Sequence, residues 1–137
     1  MEIIISQNQD THDVSIMELH GELDGSTYEY FIDEAQKLYD AGIRNLILDM
    51  SELTFLSSAG LAALHRIARV FRGEDRSTFE EGWAAIHAMG RERDGGFQEH
   101  IKLLNPSEKI QDVLDTVGFK AFFEIYTEVH PAMASFQ

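Results

Sequence analysis

The stretch Asp49-Met50-Ser51-Glu52-Leu53-Thr54-Phe55-Leu56-Ser57-Ser58-Ala59-Gly60-Leu61 decides how this chain folds. Just before its end of polar residues, Leu46-Ile47-Leu48 is apolar at successive positions, which predicts a strand covered on both faces. Beyond it, Leu61, Leu64, Ala68 and Phe71 share one helical face. A strand, a tight Ser-Ser-Ala-Gly turn and a helix put a hydroxyl at a helix N-terminus. The first N–H groups of a helix have no intrahelical acceptor, and the helix dipole there favours negative charge. Two readings of Ser57 and Ser58 follow. They cap the helix, the commonest task of serine at that place, or one of them carries a phosphate that the helix end holds.

Working outward, Glu2–Ser6 reads as a first strand, Gln7–Asp13 as a polar turn and Val14–Leu19 as a second strand. Gly21-Glu22-Leu23-Asp24-Gly25-Ser26-Thr27 reads as a turn that supplies a helix N-cap. Tyr28, Phe31, Ile32, Ala35, Leu38 and Tyr39 then keep helical spacing, with Gly42 as the stop. On the other side, the helix from Ser58 runs to Gly73, and Ile101–Leu104 is the next strand. Asn105-Pro106 predicts a helix start, asparagine capping and proline in the first helical position. Ile110, Val113, Leu114 and Val117 give that helix an apolar face, closed by Gly118. Phe122–Tyr126 reads as a last strand, and a terminal helix over Pro131–Phe136 docks through Met133 and Phe136.

Strands alternating with helices predict an α/β fold, a sheet flanked by helices. Residues 74–96, after the second helix, are the one irregular part of this alternation. Within them Ser77-Thr78-Phe79-Glu80 has the form of a capping box, and Phe79, Trp83, Ile86 and Met89 are spaced as a local apolar stripe. Gly82 weakens a helix there.

The 137 residues, 44% of them apolar, suit a single domain spanning 1–137 with one core. With 24 acidic against 11 basic side chains the formal net charge is −13, a field that repels nucleic acid and anionic membrane. The densest basic set, Arg66, Arg69 and Arg72, reads as the solvated side of one helix. No apolar run approaches the roughly 20 residues of a membrane span, and no signal-peptide pattern opens the chain. The absence of cysteine excludes disulfides and thiolate metal sites. A cytoplasmic protein, monomer or weak dimer, is the expectation.

The six histidines are scattered without a zinc spacing, and His65 reads as a surface residue. The Ser-Ser-Ala-Gly turn is not a Gly-x-Ser-x-Gly nucleophile elbow, and no glycine loop with lysine cradles a phosphate. No metal, no cofactor and no catalytic set is expected, so the chain reads as a binder of another protein rather than an enzyme.

Three landmarks in register carry a family resemblance. Gly21-Glu22-Leu23-Asp24 follows the second strand, Phe55-Leu56-Ser57-Ser58-Ala59-Gly60-Leu61 follows the third, and the tail holds Leu104-Asn105-Pro106-Ser107, Val117-Gly118-Phe119 and Phe123-Glu124-Ile125-Tyr126. Together they resemble the STAS domain family, in particular its anti-sigma factor antagonists, over residues 3 to 73 and 98 to 136. The resemblance implies a STAS-like mixed β-sheet flanked by helices, in the order β-β-α-β-α-β-α-β-α. It implies that Ser58 is the phosphoacceptor, with Ser57 as second choice, and that Asp24 lies near it. It also implies a surface made of Asp24, Gly25, Ser26, Thr27, Ser57, Ser58, Ala59 and Gly60. The implied partners are an anti-sigma factor that is also a serine kinase, which binds only the unmodified form, and a serine phosphatase.

The chain departs from that pattern twice. Many members have aspartate immediately before the phosphoacceptor, where Ser57 stands here, and the insertion at 74–96 replaces a short return to the sheet. A phosphate trapped in a close contact beside Asp24 loses hydration and meets like charge, at a cost on the order of several kcal/mol. Each 1.4 kcal/mol is tenfold in affinity, which suffices for an on–off response. The alternative expectation is a STAS scaffold that is never phosphorylated and senses a nucleotide or another small ligand.

Overall fold

The computed structural model describes residues 1–7, 13–73 and 98–136. Its elements are β1 (Glu2–Gln7), β2 (Val14–Leu23), α1 (Tyr28–Asp40), β3 (Asn45–Asp49), β4 (Leu53–Leu56), α2 (Ser58–Phe71) and β5 (Ile101–Leu104). After these come α3 (Glu108–Thr116), a 3₁₀ turn (Phe119–Ala121), β6 (Glu124–Tyr126) and α4 (Val129–Ala134). The strands form one mixed six-stranded sheet in the order β1-β2-β3-β5-β6, with β4 joined to β2 off that path. β1 is antiparallel to β2, and every other pairing is parallel.

The α/β class and the mixed sheet are as the sequence predicts, but the sheet has one strand more. β2 does not stop at Leu19. It continues through Gly21, where φ is +108°, to Leu23, so the anticipated turn starts only at Asp24. The extra length gives β2 two parallel neighbours: Val14–Glu18 pair with β3, and Gly21, Glu22 and Leu23 pair with β4. The fourth strand, β4, is the element the sequence reading lacks.

Alternation along the strands sorts side chains between two cores. Met17, Leu19, Leu46, Leu48 and Leu103 face the helices, where Phe31 and Ala35 of α1, Leu61, Leu64 and Ile67 of α2, and Ile110 and Leu114 of α3 meet them. On the opposite face Val14, Ile47 and Leu104 pack against Ala132 and Met133 of α4, flanked by Ile16, Tyr126 and Phe136. β3 is apolar at successive positions because each of its faces is covered. The terminal helix docks through Met133 and Phe136, as expected, although it runs Val129–Ala134.

Several local expectations need correction. The cap of α3 is Ser107, whose Oγ accepts the Ile110 N–H at 3.2 Å. Asn105 instead adopts φ +52°, a region asparagine tolerates, and its side-chain amide donates to Ser51 Oγ at 3.2 Å. β6 starts at Glu124, because Phe122 and Phe123 are drawn into the core behind the 3₁₀ turn. His65 is buried rather than a surface residue, and Arg66 and Arg69 are half-buried with only Arg72 exposed, since α2 buries ten of its fourteen residues. The insertion at 74–96, with its capping box and the stripe Phe79, Trp83, Ile86 and Met89, lies outside the described residues. Among those described, no helix is long and apolar enough to cross a membrane.

One ion pair ties the second core together. The Lys102 side chain, only 5% exposed, donates from Nζ to Glu124 Oε1 at 3.0 Å. The Tyr126 hydroxyl donates to Glu124 Oε2. That hydroxyl and then the Lys102 ammonium hold the Glu124 carboxyl below its usual range. Phe136 roofs the ammonium, its ring centroid 5.5 Å from Nζ.

Candidate functional site

The site is built where β2 and β4 end side by side. Leu23 and Leu56 are opposite one another in the parallel register, so the residues that follow each strand emerge together. The backbone locks this juncture: the Ser57 N–H donates to the Leu23 carbonyl at 3.0 Å. Ser57 is extended, with φ −95° and ψ 178°, and is the N-cap of α2. Its Oγ accepts the Gly60 N–H at 3.3 Å and its carbonyl accepts the Leu61 N–H at 2.9 Å.

Ser58 is the first helical residue and is exposed. Its hydroxyl makes no hydrogen bond to the described residues, whereas the hydroxyls of Ser26, Ser51, Thr27 and Thr54 are all engaged nearby. Of the two serines it is therefore Ser57 that caps the helix, and Ser58 leaves its hydroxyl exposed. Ser57→Ala is expected to cost about 1 kcal/mol and Ser58→Ala close to nothing, read from urea denaturation midpoints at constant m-value.

Ala59 is half-buried and Gly60 buried. A Cβ on Gly60 would lie 2.6 Å from Leu56 Cδ1, 2.7 Å from the Leu23 carbonyl oxygen and 3.0 Å from Leu23 Cγ. Only glycine lets the start of α2 rest this closely on the backbone of β2.

Opposite, Asp24 organises its own turn. Its Oδ1 accepts the Ser26 N–H at 2.9 Å and the Ser26 hydroxyl at 2.7 Å. These bonds, the Ser26 hydroxyl foremost, hold the Asp24 carboxyl below its usual range, so it is ionised at neutral pH. Thr27 is the N-cap of α1 by position, yet its hydroxyl does not cap; it donates to the Glu22 carbonyl at 2.8 Å and accepts the Asp24 N–H at 2.9 Å. The Asp24 carbonyl takes the Thr27 and Tyr28 N–H groups, at 3.1 and 2.9 Å. Gly25 and Ser26 are exposed at the turn's tip. The parallel pairing thus carries Asp24–Thr27 and Ser57–Gly60 to the same end of the sheet.

Sequence reasoning missed a neighbour, Phe55. The β2–β4 register slips between Gly21 and Glu22: Gly21 faces Leu53, but Glu22 faces Phe55. Thr54 is the extra residue, and its hydroxyl donates to the Gly21 carbonyl at 3.0 Å. Leu53 and Leu56 are consequently both buried while Thr54 and Phe55 are exposed. The signal lay in Leu53-Thr54-Phe55-Leu56, which does not alternate as a regular strand does.

Among the described residues no side chain hydrogen-bonds to Ser58 as a base, and they hold no group of three or more potential metal ligands. What the arrangement offers is an exposed hydroxyl at a helix end suited to an anion. The STAS domain profile matches residues 6–78, more than half of the chain and all of this site. The chain belongs to the STAS domain family. Among solved structures, an anti-sigma factor antagonist from Mycobacterium paratuberculosis shares 16% identity at a TM-score of 0.67, over 98% of this chain and 92% of that one. The Bacillus cell fate determinant SpoIIAA in its phosphorylated form shares 19% identity at a TM-score of 0.55, over 99% of this STAS chain and 100% of its own. The murine anion transporter Slc26a9 contains a similar fold, at 18% identity and a TM-score of 0.61, over 89% of this chain but 17% of the transporter. A search of curated protein sequences finds no match. Such likenesses establish the STAS fold, which occurs in a transporter and in antagonists alike, so function has to be argued from the site.

Proposed function

We propose that this STAS domain is an anti-sigma factor antagonist: a protein-binding switch in transcription control, set by phosphorylation of Ser58. The observation that carries the reading is the exposed, uncommitted hydroxyl of Ser58 at the first position of α2, with Ser57 already serving as the cap. An anti-sigma factor with serine kinase activity is the partner. It supplies a nucleoside triphosphate, whose γ-phosphorus is attacked by Ser58 Oγ. The O–P bond forms, the nucleoside diphosphate leaves, and the hydroxyl proton passes to a base on the kinase. A serine phosphatase reverses the step by hydrolysis.

Phosphorylation adds close to two negative charges at the helix end, beside the ionised Asp24 turn. The free N–H groups of the first turn of α2 hold the phosphate in place, so it stays on the contact surface instead of swinging clear. A partner that closed over a neutral hydroxyl must now desolvate a dianion, which costs several kcal/mol. Serine at 57 lowers the repulsion the phosphate meets compared with a carboxylate there. Asp24 remains to supply it.

Phosphopeptide mass spectrometry on the protein isolated from its own cells, in growth and under stress, tests the reading. Phosphate on Ser58 whose occupancy changes with condition is the expected result. Phosphate confined to Ser57 moves the switch by one residue and ends the assignment to Ser58. Complete coverage of the peptide with no phosphate in either condition ends the switch.

A further inference from the structure

The bulge in β4 buries Leu56 together with Leu53 and, in doing so, turns a large aromatic side chain outward. A regular register with β2 keeps strict alternation, which puts Phe55 on the buried side with Leu53. Instead Thr54 is inserted, fixed by its hydroxyl on the Gly21 carbonyl, and Phe55 is turned to solvent with 41% of its surface exposed. Bulges re-aim side chains and gather beside functional sites. The strand so altered is the one that leads straight into Ser57 and Ser58. From Leu53 through Ser57 the backbone is extended, and Phe55 stands three residues before the acceptor.

Resting on the proposed switch, we infer that Phe55 is the apolar anchor by which the Ser58 kinase seats this protein. A phosphoryl-transfer site must exclude water around Ser58 Oγ, so it has to cover the surface around that atom. Phe55 is the large exposed apolar side chain on the segment running into Ser58; among the described residues the others, Ile4, Ile5, Tyr30 and Val129, are on β1, α1 and α4. Aromatic residues that fill a pocket at the centre of a contact carry a disproportionate share of its free energy. Glu22, paired with Phe55 across the strands, is an exposed carboxylate, and so is Glu52, three residues before Phe55 in the chain. The complementary surface is an apolar cleft wide enough for one ring, rimmed by lysine or arginine.

The test is the initial rate at which γ-labelled ATP phosphorylates Ser58 when purified protein is added to an extract of its own cells. Initial rates are insensitive to the phosphatase. Phe55→Ala is expected to lower the rate at least about tenfold, as loss of a central anchor does, with Phe55→Tyr close to the unaltered protein. Ile4→Ala, on β1, removes an exposed apolar side chain elsewhere and is expected to leave the rate unchanged. Coincident thermal melts show that all variants are folded, the expected result for substitutions at exposed positions. Unaltered protein that takes up no phosphate on Ser58 overturns the switch and the anchor together. Phosphate on Ser58 arriving equally fast in Phe55→Ala, or equally slowly in Ile4→Ala, overturns the anchor and leaves the switch standing.

Discussion

Gly60→Ala is expected to destabilise the protein by about 2 kcal/mol, against the usual sign of a glycine-to-alanine change inside a helix. Two effects compete. Alanine is the better helix former by about 1 kcal/mol. Against this, its methyl group would sit 2.7 Å from the Leu23 carbonyl oxygen and 2.6 Å from Leu56 Cδ1. The leucine end can turn away; the carbonyl belongs to β2 and accepts the Ser57 N–H, so it cannot move without opening the juncture. Overpacking against backbone sits at the upper end of its range, about 3 kcal/mol, and therefore wins. Guanidinium or urea denaturation measures the difference directly, and Gly25→Ala is the control, since a Cβ there has nothing within 4 Å. A Gly60→Ala protein more stable than the unaltered one would refute the close approach of α2 to β2.

The second large effect is expected at the Lys102–Glu124 pair. Glu124→Gln leaves the Lys102 ammonium, 5% exposed, without its carboxylate. Removing one partner of a fully buried pair costs about 3–5 kcal/mol; because the Glu124 side chain is 40% exposed, water relieves part of this, and about 2 kcal/mol is expected at pH 7. The double change Lys102→Met with Glu124→Gln is expected to restore most of the loss, because no charge then remains to be buried. The pH dependence follows from the lowered Glu124 carboxyl. Folded protein binds that proton less readily than the unfolded chain does, so the contribution is present above about pH 4.5 and is lost as the pH falls through the folded value. Denaturation midpoints of the parent and of Glu124→Gln should therefore converge toward acid. A gap that stays constant from pH 7 to pH 3 would locate the loss in packing rather than charge.

How far the sequence discloses this molecule depends on whether a segment obeys its own periodicity. Leu46-Ile47-Leu48 states its place outright, because a strand covered by helices on one side and α4 on the other must be apolar throughout. The apolar faces of α1 and α2 are equally open to reading, whereas the burial of His65 on α2 is not, because α2 is covered around most of its girth. β4 is hidden because its bulge breaks the alternation that marks a strand, and with it Phe55 is hidden too. Gly21 conceals the last turn of β2 in the same way: glycine signals a turn, but here it supports a strand whose φ is positive at one point. Asn105-Pro106 misleads because asparagine is both a good cap and a good left-handed residue, and only the position of Ser51 shows which use applies. At the site, the motif brings both serines to notice. Which of them caps the helix emerges only from a hydrogen bond, Gly60 N–H to Ser57 Oγ, that no spacing rule assigns to one serine over the other.

Positions 58 and 60, two residues apart, answer to different kinds of selection. In a library holding every substitution at both, folded protein recovered from cells should be rich in variants at 58, where the side chain is exposed, and nearly empty of them at 60, where any Cβ collides. Ranked instead by whether transcriptional output still responds to growth condition, the same library should, on the proposed switch, keep at 58 only residues that retain a hydroxyl. If Ser58 carries the proposed switch, a lineage could drop phosphate control in a single mutational step and keep its architecture, while the glycine beside it stays fixed for as long as the fold does.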